Sequence, residues 1–251
     1  QTSNSYYRIA ITHDFNDILN DPEVDIVVET MGGTGVAYKF TKAALEAGKS
    51  VCTSNKELVA EYGHELMEVA AAHNVNYMFE ASCGGGIPII RPLMTSLTGD
   101  EIEEISGILN GTTNYILTAM AENGSDFDTA LKNAQKLGYA ELHPEADIEG
   151  MDPCRKIAIL SSIAYGKAVD YRDIHTEGIS KITASDMKYA AALEAKVKLI
   201  ASSVKTKSGQ AIMVAPYMII ETSPLYGVSG VFNAVYVRGN MLGDSMFYGS
   251  G

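Results

Sequence analysis

The chain has 251 residues, enough for one large or two modest domains with a buried core. Its 19 Lys and Arg against 31 Asp and Glu give a net charge of −12, which argues against nucleic acid and anionic lipid membranes as partners, because both need basic patches to neutralise phosphate. Hydrophobic residues at 46% and charged residues at 20% exclude a disordered chain, and three widely spaced cysteines (Cys52, Cys83, Cys154) suit a reducing cytoplasm better than a disulfide framework. The opening residues carry no secretory signal pattern, and the longest uncharged runs, such as residues 105–121, fall short of a spanning helix.

The first part of the chain alternates strand and helix. Residues 24–29 (VDIVVE) are an apolar run of strand length ending in an acid; Gly32-Gly33-Thr34-Gly35 follows, then a helical pattern over 36–47 stopped by Gly48. A strand at 50–53, a long amphipathic helix over 56–73 and a strand at 76–79 come next. Buried strands separated by helices predict βαβ units, hence an α/β fold with a doubly wound parallel sheet covered on both faces. The text then changes character. Residues 82–86 (SCGGG) read as a flexible loop, 87–97 as a helix, 101–109 as a strand and 113–122 as a helix. Two acid-rich helices follow, with Pro144 and Gly150 punctuating the loop between them, and strands are expected at 196–205, 211–222 and 234–238. A domain boundary falls near residue 90, dividing the chain into 1–90 and 91–251. Both ends read as cut.

Ligands of a doubly wound sheet sit outside the carboxyl ends of its strands, and three such ends are chemically loaded. Glu29 with Gly32-Gly33 ends the first strand, where glycines let a ligand approach the backbone beside a helix N-terminus; a plain turn fits equally. Neither Gly33-Thr34-Gly35 nor Gly84-Gly85-Gly86 extends to the dinucleotide fingerprint, because the third glycine is absent from both. Thr53-Ser54-Asn55-Lys56 ends the second strand, and a lysine opening a helix opposes the helix dipole, so Lys56 is either a solvated turn residue or a functional one. Asp152-Pro153 predicts a helix start with Asp152 as N-cap and Pro153 first in the helix, placing Lys156 within reach of Asp152 at i+4. That pair fits a capped surface helix or a general acid/base lysine. Cys83 sits in a glycine-rich loop beyond a strand, as a nucleophile or as an inert buried thiol. The five histidines show no zinc spacing.

Six blocks in order along nearly the whole chain resemble homoserine dehydrogenase: VDIVVETMGG (24–33), SVCTSNKELVA (50–60), FEASCGGGIPIIRPL (79–93), GILNGTTNYIL (107–117), GYAELHPEADIEGMDPCRKIAIL (138–160) and VFNAVYVRGNMLG (231–243). The resemblance implies NAD- or NADP-dependent interconversion of L-homoserine and L-aspartate 4-semialdehyde, on the route to threonine and methionine. It implies a Rossmann nucleotide domain, here partial, joined to a mixed α/β domain for substrate binding and dimerisation, in a cytoplasmic homodimer. By motif, Lys156 corresponds to the catalytic proton donor and Lys56 to a second lysine near nicotinamide and substrate. Glu141 and Asp152, with Asp147 nearby, match the carboxylates that hold the substrate's ammonium group, and Thr112 and Tyr139 match pocket positions. Gly32, Gly33, Asn55, Lys56 and Gly138 fall at the cofactor. Glu80, Cys83, Gly85 and Ile87 fall where the family binds a monovalent cation (Na⁺ or K⁺), mainly through backbone carbonyls. The family's opening glycine fingerprint and the glycine-rich segment expected after Gly251 are absent, so the chain reads as an incomplete enzyme. Two rival readings are a cysteine-dependent semialdehyde dehydrogenase, with Cys83 forming a thioester, and a non-catalytic dimerisation or regulatory fragment.

Overall fold

The computed structural model describes residues 11–251, and the expectation about a leader falls on residues outside these. After a short helix α1 (Phe15–Leu19), the chain runs β1 (Ile26–Glu29), α2 (Gly35–Glu46), β2 (Ser50–Thr53), α3 (Lys56–Ala72) and β3 (Tyr77–Met78). The strands pair in parallel in the order β1-β2-β3, with Ile26 opposite Ser50 and Val51 opposite Tyr77. These are the expected βαβ units, β1 starting two residues later than read from the sequence. Among the described residues, however, helices cover only one face of this sheet. Consecutive right-handed crossovers in one direction place α2 and α3 side by side, where the Tyr38 and Tyr62 rings lie 4.3 Å apart at a tilt of 36°, and leave Ile26 and Val28 exposed. The polarity pattern of a strand cannot distinguish one covered face from two.

The predicted helix over 87–97 shrinks to a π-helical turn, Pro92–Ser96, because Pro88 and Pro92 cannot donate the hydrogen bonds of a regular helix there. Beyond it come β4 (Ile102–Ile108), α4 (Gly111–Asn123), α5 (Phe127–Lys136), α6 (Glu145–Ile148), α7 (Met151–Tyr165), β5 (His175–Thr176), α8 (Ala184–Ala192), β6 (Ala195–Thr206), β7 (Gly209–Ile220), β8 (Phe232–Gly239) and β9 (Gly243–Ser250). The six strands make one mixed sheet in the order β5-β7-β6-β4-β8-β9, all pairs antiparallel except β5 with β7. α4, α7 and α8 pack on one face around Leu109, Ile157, Leu199, Ala201 and Val235. The other face carries a smaller cluster of Ile108, Ile200 and Ala234 under the turn at Leu225 and Val228. α7 also packs against α3, and this seam joins the two sheets.

The start of α7 departs from the sequence reading. Its N-cap is Gly150, left-handed at φ +83°, and Asp152 is the second helical residue rather than the cap. Pro153 is tolerated because first-turn N–H groups have no helical partner anyway. Asp152 is thereby released from capping and turned inward.

Candidate active site

Two helix starts and one strand end converge on Asp152. Asn55 caps α3, its Oδ1 accepting from Leu58 N at 3.1 Å, so Lys56 opens that helix. Asp152 and Lys156 lie one turn apart at the start of α7, and Asn110 follows β4 and caps α4. The Asp152 carboxylate is 2% exposed and takes a lysine on each oxygen: Lys56 Nζ lies 2.5 Å from Oδ1 and Lys156 Nζ 2.7 Å from Oδ2. Lys156 also donates to the Leu109 carbonyl at 2.7 Å, which commits two of its three protons and leaves one for a ligand. Asn110 Nδ2 donates to Asp147 at 2.8 Å and to Asp152 at 2.9 Å.

Burial alone would raise the Asp152 carboxyl, but Lys156, Lys56 and Asn110 together hold it below the ordinary value, so it is ionised. Asp147 moves the other way, raised by burial and then by the neighbouring Asp152. Lys56 is raised: its desolvation is outweighed by Asp152 and Asp147, and it stays cationic at the positive end of its helix. The cluster lies apart from an apolar groove of about 650 Å³ lined by Met67, Phe79, Leu93 and Ile159. Volume says little here; a buried carboxylate between two lysines is the kind of cluster in which candidate acid–base residues are sought.

The remaining expected residues fall around this cluster in three groups. Thr112 donates to the Tyr139 carbonyl at 2.6 Å, tying the loop after α5 to the start of α4, and Tyr139 packs on Tyr115 at 5.0 Å. Gly138 is left-handed in that loop, whose far end is held by Gln135 on the Glu141 carbonyl at 3.0 Å. The Glu141 side chain is exposed and, among the described residues, pairs with nothing. On the other side, Asn55 Nδ2 donates to the Gly33 carbonyl at 2.8 Å, and a Cβ at Gly32 or Gly33 would meet only open space beside the start of α2. Thr53 is fixed by the buried Glu29 carboxylate at 2.5 Å. This leaves room for an anionic group over the helix N-terminus, the fit a dinucleotide needs.

The third group is the loop after β3. The Glu80 carboxylate accepts from the N–H groups of Ile89, Ile90 and Arg91 at 2.7–2.8 Å, so its side chain staples the loop. Gly84 and Gly85 are left-handed, and among the described residues the carbonyls of Cys83, Gly85 and Ile87 accept no backbone hydrogen bond; such oxygens suit a hard cation. Cys83 is fully buried against α7, and burial pushes its thiol up to about 12. A thiolate nucleophile is therefore not available, and the thioester reading loses its reagent.

Sequence reasoning missed Asn110. Its only local signal was Asn-Gly before a helical run, which marks a cap and says nothing of two aspartates 37 and 42 residues further on.

Residues 3–80 match the family model "Homoserine dehydrogenase, NAD binding domain", and residues 88–251 match the model "Homoserine dehydrogenase". The chain belongs to the homoserine dehydrogenase family. Homoserine dehydrogenase of Neisseria gonorrhoeae is 44% identical over 242 residues, covering 96% of this chain and 56% of that protein. That of Synechocystis is 45% identical over 246 residues, covering 96% and 57%. The chain thus spans little more than half the length of these curated relatives. Among solved structures, a homoserine dehydrogenase from Thiobacillus denitrificans superposes with a TM-score of 0.92 at 44% identity, covering 96% of this chain and 56% of that one. A hyperthermophilic archaeal homoserine dehydrogenase in complex with NADPH superposes at 0.83 with 32% identity, covering 98% and 72%. The Rossmann-type sheet and the second, mixed domain are those of homoserine dehydrogenases. No described helix is long and apolar enough to cross a membrane.

Proposed function

We propose that the protein interconverts L-homoserine and L-aspartate 4-semialdehyde with NAD or NADP. The observation that carries this reading is one buried carboxylate, Asp152, shared by two lysines at the carboxyl edge of the sheet, beside an open glycine turn. The nicotinamide supplies the hydride acceptor for the alcohol and the hydride donor for the aldehyde. Gly32, Gly33, Asn55, Lys56 and Gly138 would hold that cofactor. Lys156 gives its free proton to the carbonyl oxygen during reduction and takes it back during oxidation, with Asp152 stabilising the ammonium form. Lys56 holds the same oxygen electrostatically. Asp147, Asp152 and Glu141 receive the substrate's ammonium group, while Thr112 and Tyr139 wall the pocket. Carbonyls at Cys83, Gly85 and Ile87, on the loop that Glu80 braces, would hold a monovalent cation.

We place the division between nucleotide and substrate domains near residue 90. A second copy of the chain is the partner, packed on the sheet face that displays Tyr217, Ile219 and Tyr236. Three unpaired thiols fit a reducing cytoplasm. A merely dimerising fragment has no use for a buried cluster of acids and lysines, which costs stability unless each charge is paired.

The test is the intact protein with homoserine and either cofactor, followed by nicotinamide absorbance. Lys156→Ala should lower kcat by about 10²–10⁴, the range of general acid–base catalysis. A folded variant within about threefold of wild type would remove Lys156 from the chemistry. Wild type that oxidises no homoserine with either cofactor would overturn the whole reading.

A further inference from the structure

Asn110 spends every hydrogen-bonding group it has. Its Oδ1 caps α4 by accepting from Thr113 N at 2.9 Å, and the two protons on Nδ2 go to two different carboxylates, Asp147 Oδ1 and Asp152 Oδ2. The residue is 6% exposed, so none of these bonds can be exchanged cheaply for water. Asp152 already has a lysine on each oxygen, whereas Asp147 has no ion pair and leans on Asn110 alone among the described residues. A cap needs only the Oδ1 acceptor; serine, threonine or aspartate would serve α4 as well. What those cannot do is donate one proton to each of two carboxylates without adding charge. A cation there would compete for the pocket with a substrate ammonium group, and an acid would add a third negative charge.

We propose that Asn110 is a positioning residue for the reaction: its amide fixes the spacing and orientation of the Asp147 and Asp152 carboxylates, so that the Asp147 oxygen outside the bridge, set beside the fully paired Asp152, receives the ammonium end of the amino-acid substrate. This rests on the activity proposed above and adds to it how the ammonium site is built. A hydrogen bond to the ionised form also favours that form, so the bridge opposes the upward push that burial and Asp152 give the Asp147 carboxyl.

The test compares wild type with Asn110→Ser, which keeps a capping side chain and loses the bridge, and Asn110→Asp, which keeps the shape and reverses the bridge. Homoserine affinity is measured by calorimetry across pH, beside steady-state kinetics and thermal melting. Asn110→Ser should still fold, with a lowered melting point, and bind homoserine about tenfold or more weakly, the size of a lost charge-assisted hydrogen bond. Its KM should rise in step, with kcat changed by less than about threefold and the cofactor KM unmoved. The acid limb of its kcat/KM profile should move to higher pH, and further for Asn110→Asp. A serine variant with wild-type affinity and an unmoved acid limb, whatever its melting point, overturns the role and leaves Asn110 a plain cap. Failure of the activity itself shows separately, as wild type that neither binds nor oxidises homoserine, and the positioning role falls with it.

Discussion

Cys83 and Asp152 show how burial decides what a side chain can do. Both are buried, Asp152 in the first turn of α7 and Cys83 against that helix, yet Asp152 is charged because two lysines and an amide reach it, while Cys83 has only weak contacts to Ser82 and the Lys156 carbonyl. With its thiol at about 12, Cys83 should resist alkylation of the native protein at neutral pH, whereas the exposed Cys52 should react. Peptide mapping after brief iodoacetamide treatment checks this, and Cys83→Ser should keep at least about a third of wild-type turnover, since a sulfur-to-oxygen change away from the chemistry costs little. Rapid labelling of Cys83, or a dead serine variant, would restore it as a nucleophile. The i+4 pairing of Asp152 with Lys156 was legible because helix geometry is local. Misreading Asp152 as a cap came from Gly150, whose left-handed turn starts the helix two residues earlier and frees the acid. Asn110 was illegible because a cap looks the same whether or not its amide bridges distant acids.

In the six-stranded sheet the long periodic strands were readable and the shortest and edge ones were not. β6 was found over most of its length from its apolar text, but β9, at the sheet edge with alternating exposure and two interior small-residue breaks, was not, and neither was the two-residue β5. β6 also carries a group that polarity patterns miss. Lys198 is 2% exposed, donating to the Val228 carbonyl at 2.6 Å and to Asn114 Oδ1 at 3.0 Å, and it makes no ion pair among the described residues. Burial, then Lys196, lowers it from 10.5 to about 8, with Glu122 opposing. The unfolded chain therefore holds this proton more tightly than the folded one. Between pH 8 and 10.5 the unfolded state binds more protons, so stability should rise with pH across that window, by up to about 3 kcal/mol relative to Lys198→Met. Urea melts of both proteins at pH 7.5 and 10 measure the difference. Parallel behaviour would mean that Lys198 reaches water or a carboxylate in the folded state.

At the scale of the molecule, the two sheets are joined by contacts with large sequence separations. Arg172 bonds Glu61 across 111 residues, Arg155 lies 3.2 Å from Glu57, and Lys56 meets Asp152. Composition and periodicity announced two regions but carried no information about this seam, since nothing local requires an acid on α3 to face an arginine near α7. The Glu61 and Glu57 pairs are partly exposed and contribute little to holding the halves together. The buried pair differs in kind, because one carboxylate from the second domain is gripped by a lysine from each side. A ligand seated on Lys56 and Lys156 at once binds the closed arrangement and cannot bind either half alone as well. Substrate then behaves as a clasp, and its binding energy appears as resistance to opening. In hydrogen–deuterium exchange, saturating homoserine with cofactor should slow the amides of the first turn of α3 and of residues 152–156 together, by about a hundredfold at a hundred times Kd if they exchange through opening of the seam. Slowing on one side alone would mean that the halves take up their ligands independently and that the seam never opens as a unit.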